Sequence, residues 1–406
     1  MIREIPHISD STGTERHMSL SPSSTLFARI GAGGAVGALA LGTVLAGGAA
    51  AAPATVDPLA GAEGFNAVSR YGTALASTEM DGPLAVGGDL TLLGGYNIAA
   101  HTPGAFTAPG DEVPSALVVA GGVDWAASDG YARVLDGYVK IGDLTGTEVL
   151  TEDANQAVRS TRAVPSAGGY DADLRVETTL DQSAASVGAG TGLDFEALFA
   201  DFRDRSDLLA SCTGAGVLNV TGEELNAVGE FAFPTAPSAE APVVINVDTT
   251  GTGGVFDWST PNLPGIGAAL APYVIWNFPD ATELTLTGGD TVEGSIYAPR
   301  AAFTDESASN VEGAIVAETL SLGTAAANGG EVHHEPFTGT FECEGGETVP
   351  GGETPTESGS ATPGDDTALP VTGASTLTVA GIAAAALAAG AAALWAVRAR
   401  RTRTEH

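Results

Sequence analysis

Short runs of alternating apolar and polar residues recur through the middle of the chain, for example at residues 243–247, 273–278 and 284–287. Alternation with a period of two is typical of β-strands that bury one face. Residues 292–299 return in similar form at 311–318, a shift of 19 residues. A period near 19 with glycine corners suits one coil of a parallel β-helix, because each coil buries its inward residues by stacking on the next.

A second set of runs supports a mainly β domain without deciding its architecture. The glycine-containing run at residues 84–90 is echoed at 118–124 and at 139–144. A sandwich built from successive β-hairpins would also contain short alternating strands. The pattern therefore predicts a mainly β fold and favours the β-helix, with the sandwich as the alternative.

One segment has a helical period instead. Its apolar residues recur at intervals of three and four: Leu193, Phe195, Leu198, Phe199, Phe202 and Leu209. Thr191 and Asp194 predict a capping box at the start, and Gly214 follows the end. We predict one amphipathic α-helix over residues 194–211 that flanks the β domain and packs its aromatic stripe on the core.

The N-terminal segment has the layout of a secretory signal peptide. Arg29 precedes an uncharged run over residues 30–52, and an Ala-Pro-Ala sequence closes the run. A basic flank, an apolar run and a small-residue exit are typical of a cleaved signal. We assign residues 1–54 to a leader and signal peptide, with Met1 or Met18 as the start.

The C-terminal end has three parts in a fixed order. A pentapeptide comes first: Leu369, Pro370, Val371, Thr372 and Gly373. Residues 377–397 follow without a charge, and as a helix they would be about 31 Å long, the thickness of a bilayer core. Four arginines follow within residues 398–403. Basic residues after an apolar span favour the cytoplasmic side of the membrane. Over residues 369–406 this arrangement resembles the LPXTG sorting signal of wall-anchored surface proteins.

The resemblance implies that the chain is the substrate of a sortase rather than a catalyst. The sortase cysteine would attack the carbonyl carbon of Thr372 and release Gly373 with the tail. A peptidoglycan amine would then accept the acyl group. We therefore expect an exported protein bound covalently to the cell wall, whose precursor contacts the membrane only through its C-terminal span.

Composition divides the rest of the chain into three segments. Residues 55–62 form a short linker, and residues 63–343 form one block rich in Gly, Val, Leu, Thr and Asp. Residues 344–368 consist mostly of Gly, Pro, Glu, Thr and Ser, which predicts a disordered linker. The domain order is thus leader, short linker, β domain, disordered linker and sorting signal.

The charge balance restricts the partners. The chain has 50 acidic and 16 basic residues, a formal charge of −34. A surface of this sign repels nucleic acid, so we expect no nucleic-acid partner. No zinc, phosphate-binding or EF-hand motif is present in the sequence, so we predict no cofactor and no metal site.

Two cysteines, Cys212 and Cys343, fit no zinc spacing. In an exported protein such an isolated pair favours one disulfide. Two free buried thiols are the alternative, because spacing alone does not bring the two residues together.

Several stretches of the β block resemble the adhesive domain of choice-of-anchor A family surface proteins. The matching stretches are residues 82–90, 193–209, 274–279, 294–299 and 336–339. The resemblance implies a right-handed parallel β-helix with one flanking α-helix and an adhesive role. The last coils are also similar to the ice-binding β-helix fold.

We therefore expect an adhesin or surface interaction module with an unknown host or cell-surface ligand. An extracellular β-helix enzyme acting on polysaccharide is one alternative, but Arg133 and Lys140 are the only bases in their neighbourhood of the sequence, and we predict no catalytic residue. A structural wall or pilus component is another, for which Lys140, the only lysine, would have to be the acceptor.

Two further patterns in the sequence concern ligands. Ice binding would require regular ranks of threonine, and Thr285, Thr287 and Thr291 are predicted to have no counterparts at 19-residue shifts. The adjacent histidines His333 and His334 could bind a metal, but neighbouring residues of a strand point to opposite faces. We predict a loop of exposed histidines.

Overall fold

The structure is a computed structural model that describes residues 54–343. The strands are β1 (Ala54–Val56), β2 (Ala67–Ser69), β3 (Thr73–Leu75), β4 (Thr78–Glu79), β5 (Leu84–Val86), β6 (Leu90–Leu92), β7 (Gly95–Ile98), β8 (Ser115–Val119), β9 (Tyr131–Val134), β10 (Tyr138–Ile141), β11 (Thr147–Glu152), β12 (Val158–Pro165), β13 (Arg175–Thr178), β14 (Val217–Thr221), β15 (Val243–Asp248), β16 (Val255–Thr260), β17 (Val274–Asn277), β18 (Glu283–Gly289), β19 (Val292–Glu293), β20 (Ser295–Asp305), β21 (Val311–Glu312), β22 (Ile315–Leu322), β23 (Val332–His333) and β24 (Phe341–Cys343). The α-helices are α1 (Ala184–Val187), α2 (Phe195–Ser211) and α3 (Gly222–Ala227). The 3₁₀ helices are Thr250–Thr252 and Ala271–Tyr273. The described part is mainly β, as the sequence predicts.

The longest sheet contains a parallel row of strands, which we call the first row. Its order is β10-β8-β5-β2-β22-β20-β17-β15-β14, and each neighbouring pair is parallel. Parallel neighbours cannot be joined by tight hairpins, because each strand needs a crossover to return to the same edge. This pairing rules out the hairpin sandwich.

Two more parallel rows run alongside the first. The second row is β16-β18-β20-β22-β3-β6 and shares its two long strands, β20 and β22, with the first row. The third row consists of β19-β21-β23 and β4-β7-β9-β13. A bridge between Met80 and Val332 joins these two parts. Beyond β13 the pairing becomes antiparallel through the hairpin β11–β12.

The 19-residue repeat corresponds to the strand register. Val292 pairs with Val311, and Ile296 pairs with Ile315. Equivalent residues of the two copies of the repeat therefore lie side by side on the same row.

The order of strands in the first row differs from their order in the chain. β2 lies in the middle of the row, where Ala67 pairs with Ile315 of β22. From β2 the chain builds outward to β10, then passes through α2 to the opposite end at β14, and builds back to β22. The two halves of the row thus meet at β2 and β22, which are far apart in sequence.

Two apolar cores hold the rows together. Inward side chains of the three rows form the main core, where the Trp258 ring lies 5.2 Å from the rings of both Trp276 and Phe278. The second core lies between the first row and α2, and there the rings of Phe202 and Tyr297 meet edge to face. Fully burying side chains of this size stabilises a fold by about 1.5–3 kcal/mol each.

Helix α2 confirms the predicted amphipathic helix and its role in the core. It begins at Phe195, one residue later than predicted, and ends at Ser211. Its buried side chains include those of Phe199, Phe202 and Leu209. The predicted capping box was wrong: Asp194 is itself the N-cap and accepts a hydrogen bond from the Ala197 N–H. Aspartate is as good an N-cap as threonine, so the pattern alone did not decide between the two positions.

Glycines at successive corners let the turns stack closely. A Cβ atom on Gly130 would overlap the carbonyl oxygen of Gly94, and one on Gly94 would overlap that of Ala76. A side chain at either glycine would push neighbouring turns apart. This explains why the short strands alternate with glycine in the sequence.

Candidate binding surface

A rank of small side chains follows the outer face of the second row. We call it the threonine rank, and its residues pair in this order: Thr285, Thr304, Ser321, Ala74 and Thr91. Their neighbours along each strand point into the core. Strands in a sheet are about 4.8 Å apart, so the rank presents groups at a nearly constant spacing.

The threonine rank corrects one sequence expectation. Thr285 does have a counterpart at a shift of 19 residues, namely Thr304, and the two pair directly. The expectation that it had none was wrong. Thr287 is different, because its hydroxyl donates to the carbonyl oxygen of Trp258.

The hydroxyls of the rank are available to a ligand. Thr91, Thr285 and Thr304 are half-buried, and their hydroxyl groups make no hydrogen bond with any residue between 54 and 343. Ser321 donates to the carbonyl oxygen of Gly323. Three free hydroxyls on a regular sheet face can bind a surface that presents repeated polar groups.

A second polar cluster lies on the third row. Glu293, Glu312 and His333 are paired in register on β19, β21 and β23. The imidazole Nδ1 of His333 lies 2.7 Å from Glu312 Oε1. One oxygen of each glutamate, Oε2, is buried and makes no hydrogen bond to the part of the chain that the structure describes. Burial and the neighbouring charge of Glu312 raise the pKa of Glu293 to about 7.

The histidines are not the exposed loop that the sequence predicts. His333 lies on strand β23, and both it and His334 are half-buried. Burial opposes the charged form of His333, but Glu312 and Glu331 outweigh it and raise its pKa. Burial lowers the pKa of His334. The strand pairing with β21, which no local pattern reveals, places these residues beside Glu312.

We expect the stability of the protein to fall as the pH rises from 5 to 8, and Glu293→Gln to reduce this fall by about 1 kcal/mol. The pKa of Glu293 rises from its ordinary 4.5 to about 7 in the folded protein. Between these values the folded state binds a proton that the unfolded state has released, so raising the pH favours unfolding. Urea midpoints measured across this pH range test the prediction. Glu306→Gln, at an exposed glutamate, is the control, and equal slopes for the two variants would contradict it.

Three arginines converge on one buried carboxylate at the β13 end of the third row. The Nε atoms of Arg133, Arg162 and Arg175 lie 2.5, 2.8 and 3.1 Å from oxygens of Glu177. Burial opposes the charge on Glu177, but hydrogen bonds from Arg133 and Arg175 outweigh burial and lower its pKa. Arg133, considered above as a catalytic base, thus holds an ion pair.

Lys140 is fully buried and does not present an amine to solvent. Its Nζ lies 2.6 Å from Asp111 Oδ2 and donates to the carbonyl oxygen of Ser186 at 2.5 Å. An acceptor lysine of a sortase-built pilus has to reach the acyl-enzyme. This burial therefore disfavours the pilus alternative.

Cys212 and Cys343 form a disulfide, with Cα atoms 4.9 Å apart. The bond joins the C-terminal end of α2 to β24, which pairs with β1. This confirms the disulfide over the alternative of two free thiols. Strand β1 lies in the segment that the sequence assigns to leader and linker, so residues 54–56 are part of the β domain.

An asparagine ladder, which the sequence analysis missed, crosses the first row near its β14 end. Asn219, Asn246 and Asn277 pair in register on β14, β15 and β17. Asn277 Nδ2 donates to Asn246 Oδ1 at 2.8 Å, and Asn246 Nδ2 donates to Asn219 Oδ1 at 2.9 Å. Each asparagine lies within an apolar run that predicts a strand, and asparagine is uncommon in strands. This combination was the sequence signal that could have revealed the ladder.

Several predicted features fall outside the described part of the chain. The sorting residues Leu369, Pro370, Val371, Thr372 and Gly373, the span 377–397 and the signal segment lie outside residues 54–343. Within residues 54–343, no three His, Cys, Asp or Glu side chains form a group that could hold a metal ion. In the same range, no helix has the length and apolar character required to cross a bilayer.

The parallel rows and the flanking helix form a mainly β domain. A family model described as "Putative Ice-binding-like adhesive domain" matches residues 58–334, and the chain belongs to this family. No curated protein matches the chain.

Proposed function

We propose that this chain is a secreted, wall-anchored surface protein whose β domain binds a partner through the threonine rank. Membership of the adhesive family supports a surface adhesin-like role. The observation that carries the proposal is the rank itself, in which Thr285, Thr304 and Thr91 present unbonded hydroxyls on one sheet face.

The proposal includes the finer fold, a right-handed parallel β-helix. Three parallel rows that share inward residues are what three faces of such a helix would produce. Its outer faces are regular and long, so a partner with repeated groups can contact several turns at once. The resemblance to choice-of-anchor A proteins supports the same reading.

Export and anchoring are proposed from the two ends of the sequence. The signal segment would direct secretion, and the disulfide is of the kind that oxidising compartments allow. A sortase would then exchange the bond after Thr372 for one to peptidoglycan, with Leu369 and Pro370 serving as recognition residues. The proline restricts the backbone to an extended form that a groove can bind at low entropic cost.

Wall digestion followed by mass spectrometry tests the anchoring. We expect wild-type protein to end at Thr372 with attached peptidoglycan fragments. Deleting residues 369–373 is expected to leave the protein in the membrane or the medium. Recovery of wild-type protein with its arginine-rich tail intact would overturn this part of the proposal.

Binding of the purified protein to glycan arrays, matrix proteins and neighbouring cells tests the adhesive role. We expect Thr304→Lys, in the middle of the rank, to reduce binding about tenfold or more, because it places a long charged chain on the contact face. Thr151→Lys, at a half-buried threonine of β11, is the matched control. Equal binding by both variants would remove the rank from the proposal.

Ice is a second candidate ligand, favoured by the same rank. Regular hydroxyl and methyl groups about 4.8 Å apart can match a lattice. Ala74 interrupts the rank, so we expect at most weak activity. Thermal hysteresis measured for wild type and Thr304→Lys tests ice binding. Absence of hysteresis in the wild type would remove ice as a candidate ligand.

A further inference from the structure

The first row has two ends, and the β10 end is closed by a side chain. The amide of Gln182 takes the position of a further strand: the Val139 N–H donates to its Oε1 at 2.9 Å, and its Nε2 donates to the Val139 carbonyl at 2.8 Å. The outward-facing N–H and C=O of Val139 are thereby satisfied.

The β16 end of the second row is closed in the same manner. Asn226, on α3, donates through Nδ2 to the Asp257 carbonyl at 2.7 Å and accepts from the Ser259 N–H at 3.0 Å. Side-chain amides thus protect two terminal strands from pairing with other chains, as edge strands require.

At the β14 end, Glu224 Oε2 accepts from the Thr221 N–H at 3.0 Å, but no side chain of residues 54–343 covers the backbone of Asn219 in this manner. In a parallel pair, alternate residues of a strand bond to the neighbouring strand. The Val244 N–H donates to the Gly216 carbonyl, so every second residue of β14 counted from Gly216 bonds to β15. Leu218 and Val220 consequently bond to β15, and the N–H and C=O of Asn219 point away from the sheet. Neither group has a hydrogen-bond partner among residues 54–343.

The asparagine ladder is open at the same position. Each rung donates through Nδ2 to the next, in the direction from Asn277 to Asn219. Asn219 accepts through Oδ1, and its exposed Nδ2 has no acceptor within the described range. A further strand with a side-chain acceptor opposite Asn219 would extend both the backbone pairing and the ladder.

Charge indicates the chemistry of that strand. Between residues 206 and 299 the sequence contains eleven acidic residues and no lysine or arginine. A cleft of about 450 Å³ lies beside the open edge. Its polar lining includes Asn219, Thr221, Glu224, Asn246, Asp248 and Asp280.

We propose that β14 binds an extended segment of another protein that carries lysine or arginine, which adds as a new strand to the first row. The backbone of Asn219 provides the pairing, its side chain sets the register, and Asp248 and Asp280 attract the basic side chains. Main-chain bonds give such strand addition its affinity, and flanking side chains give it specificity.

Charge decides against two other occupants. A second copy of the chain would bring the same acidic end against this one, and like charges at close range repel. The segment 344–368 follows Cys343, which is bonded to Cys212, but it contains six acidic residues and no basic ones. Both occupants are distinguished by the test below.

The test uses the full secreted protein and a short fluorescent peptide that alternates lysine and valine around a central asparagine. We expect saturable binding by fluorescence anisotropy that weakens as salt rises. We also expect the peptide to slow hydrogen exchange at the Asn219 amide. The matched control peptide has glutamate in place of each lysine and should not bind.

Two variants separate strand addition from charge attraction. Asn219→Pro blocks the edge without removing a backbone bond to β15, because that N–H points outward, and we expect about a tenfold loss of affinity. Asn219→Leu keeps the backbone edge and removes the side-chain amide, both its free Nδ2 donor and the Oδ1 that accepts from Asn246, so we expect a smaller loss of about threefold. Because both variants lose the hydrogen bond from Asn246, a small drop in melting temperature is expected, and a cooperative thermal transition confirms that each is folded.

Several results would overturn the proposal. Unchanged peptide affinity in Asn219→Pro would mean attraction by charge alone. Equal binding of the glutamate peptide, or no binding of the lysine peptide, would also refute it. A concentration-dependent dimer that Asn219→Pro abolishes would identify a second copy as the occupant. Protection of the Asn219 amide in the free protein would identify the chain's own terminal segment.

Discussion

Replacing Cys343 with serine is expected to lower the free energy of unfolding by about 4–5 kcal/mol, because the disulfide closes a long loop in the unfolded chain. The bonded residues are 131 positions apart. Both cysteines are buried, at 2% and 0% exposure, so the variant also loses contacts in the second core. Denaturant midpoints of wild type and Cys343→Ser measure the difference.

The design has an internal control. One bond is lost in Cys343→Ser, in Cys212→Ser and in the double variant, so all three should have similar midpoints. Wild-type protein that is unfolded in reductant and refolded under reducing conditions should match them. The assigned role of the disulfide would be contradicted if the double variant were much less stable than either single variant. It would also be contradicted if reduction left the denaturant midpoint of the wild type unchanged.

The local fold was predictable from the sequence wherever a repeat or a period was present. The 19-residue shift corresponds to the register of β20 and β22, in which Ile296 pairs with Ile315. The period of α2 predicted its buried stripe, including Phe199 and Phe202. Both signals arise from burial, which alternates with a fixed period along a strand or a helix.

The long-range order of the first row was not predictable in this way. Periodicity shows that each repeat has to pack against other repeats, but it does not show which repeats become neighbours. The pairing of Ala67 with Ile315 joins the beginning and the end of the domain. This pairing makes the row continuous, and it arises because the chain crosses to the far end through α2 before building back.

Parts of the candidate surface were also missed for a physical reason. The threonine rank combines repeats whose lengths differ. Thr304 pairs with Ser321, 17 residues further on, and Ser321 pairs with Ala74 at the junction of the two halves. The asparagines of the ladder are likewise separated by unequal intervals, from Asn219 to Asn246 and from Asn246 to Asn277. A search at one fixed period cannot detect ranks of this kind.

Replacing Lys140 with methionine is the second change with a large expected effect. Methionine fits the apolar stem of the site but leaves the carboxylate of Asp111 without its cation. The Lys140 side chain is fully buried, and that of Asp111 is 7% exposed. Removing one partner of a buried ion pair costs about 3–5 kcal/mol, because the other charge is left uncompensated. Urea midpoints at a constant m-value measure the loss.

A double-mutant cycle shows whether the loss has this cause. If an uncompensated charge is responsible, Lys140→Met combined with Asp111→Asn should recover much of the stability, because the remaining amide can still accept from the Ser186 hydroxyl, which lies 2.7 Å from Asp111 Oδ1. Arg159→Met is the matched control, since Arg159 also pairs with an aspartate but is 55% exposed. A loss in Lys140→Met no larger than that of Arg159→Met would show that the pair does not hold the β10 end of the first row.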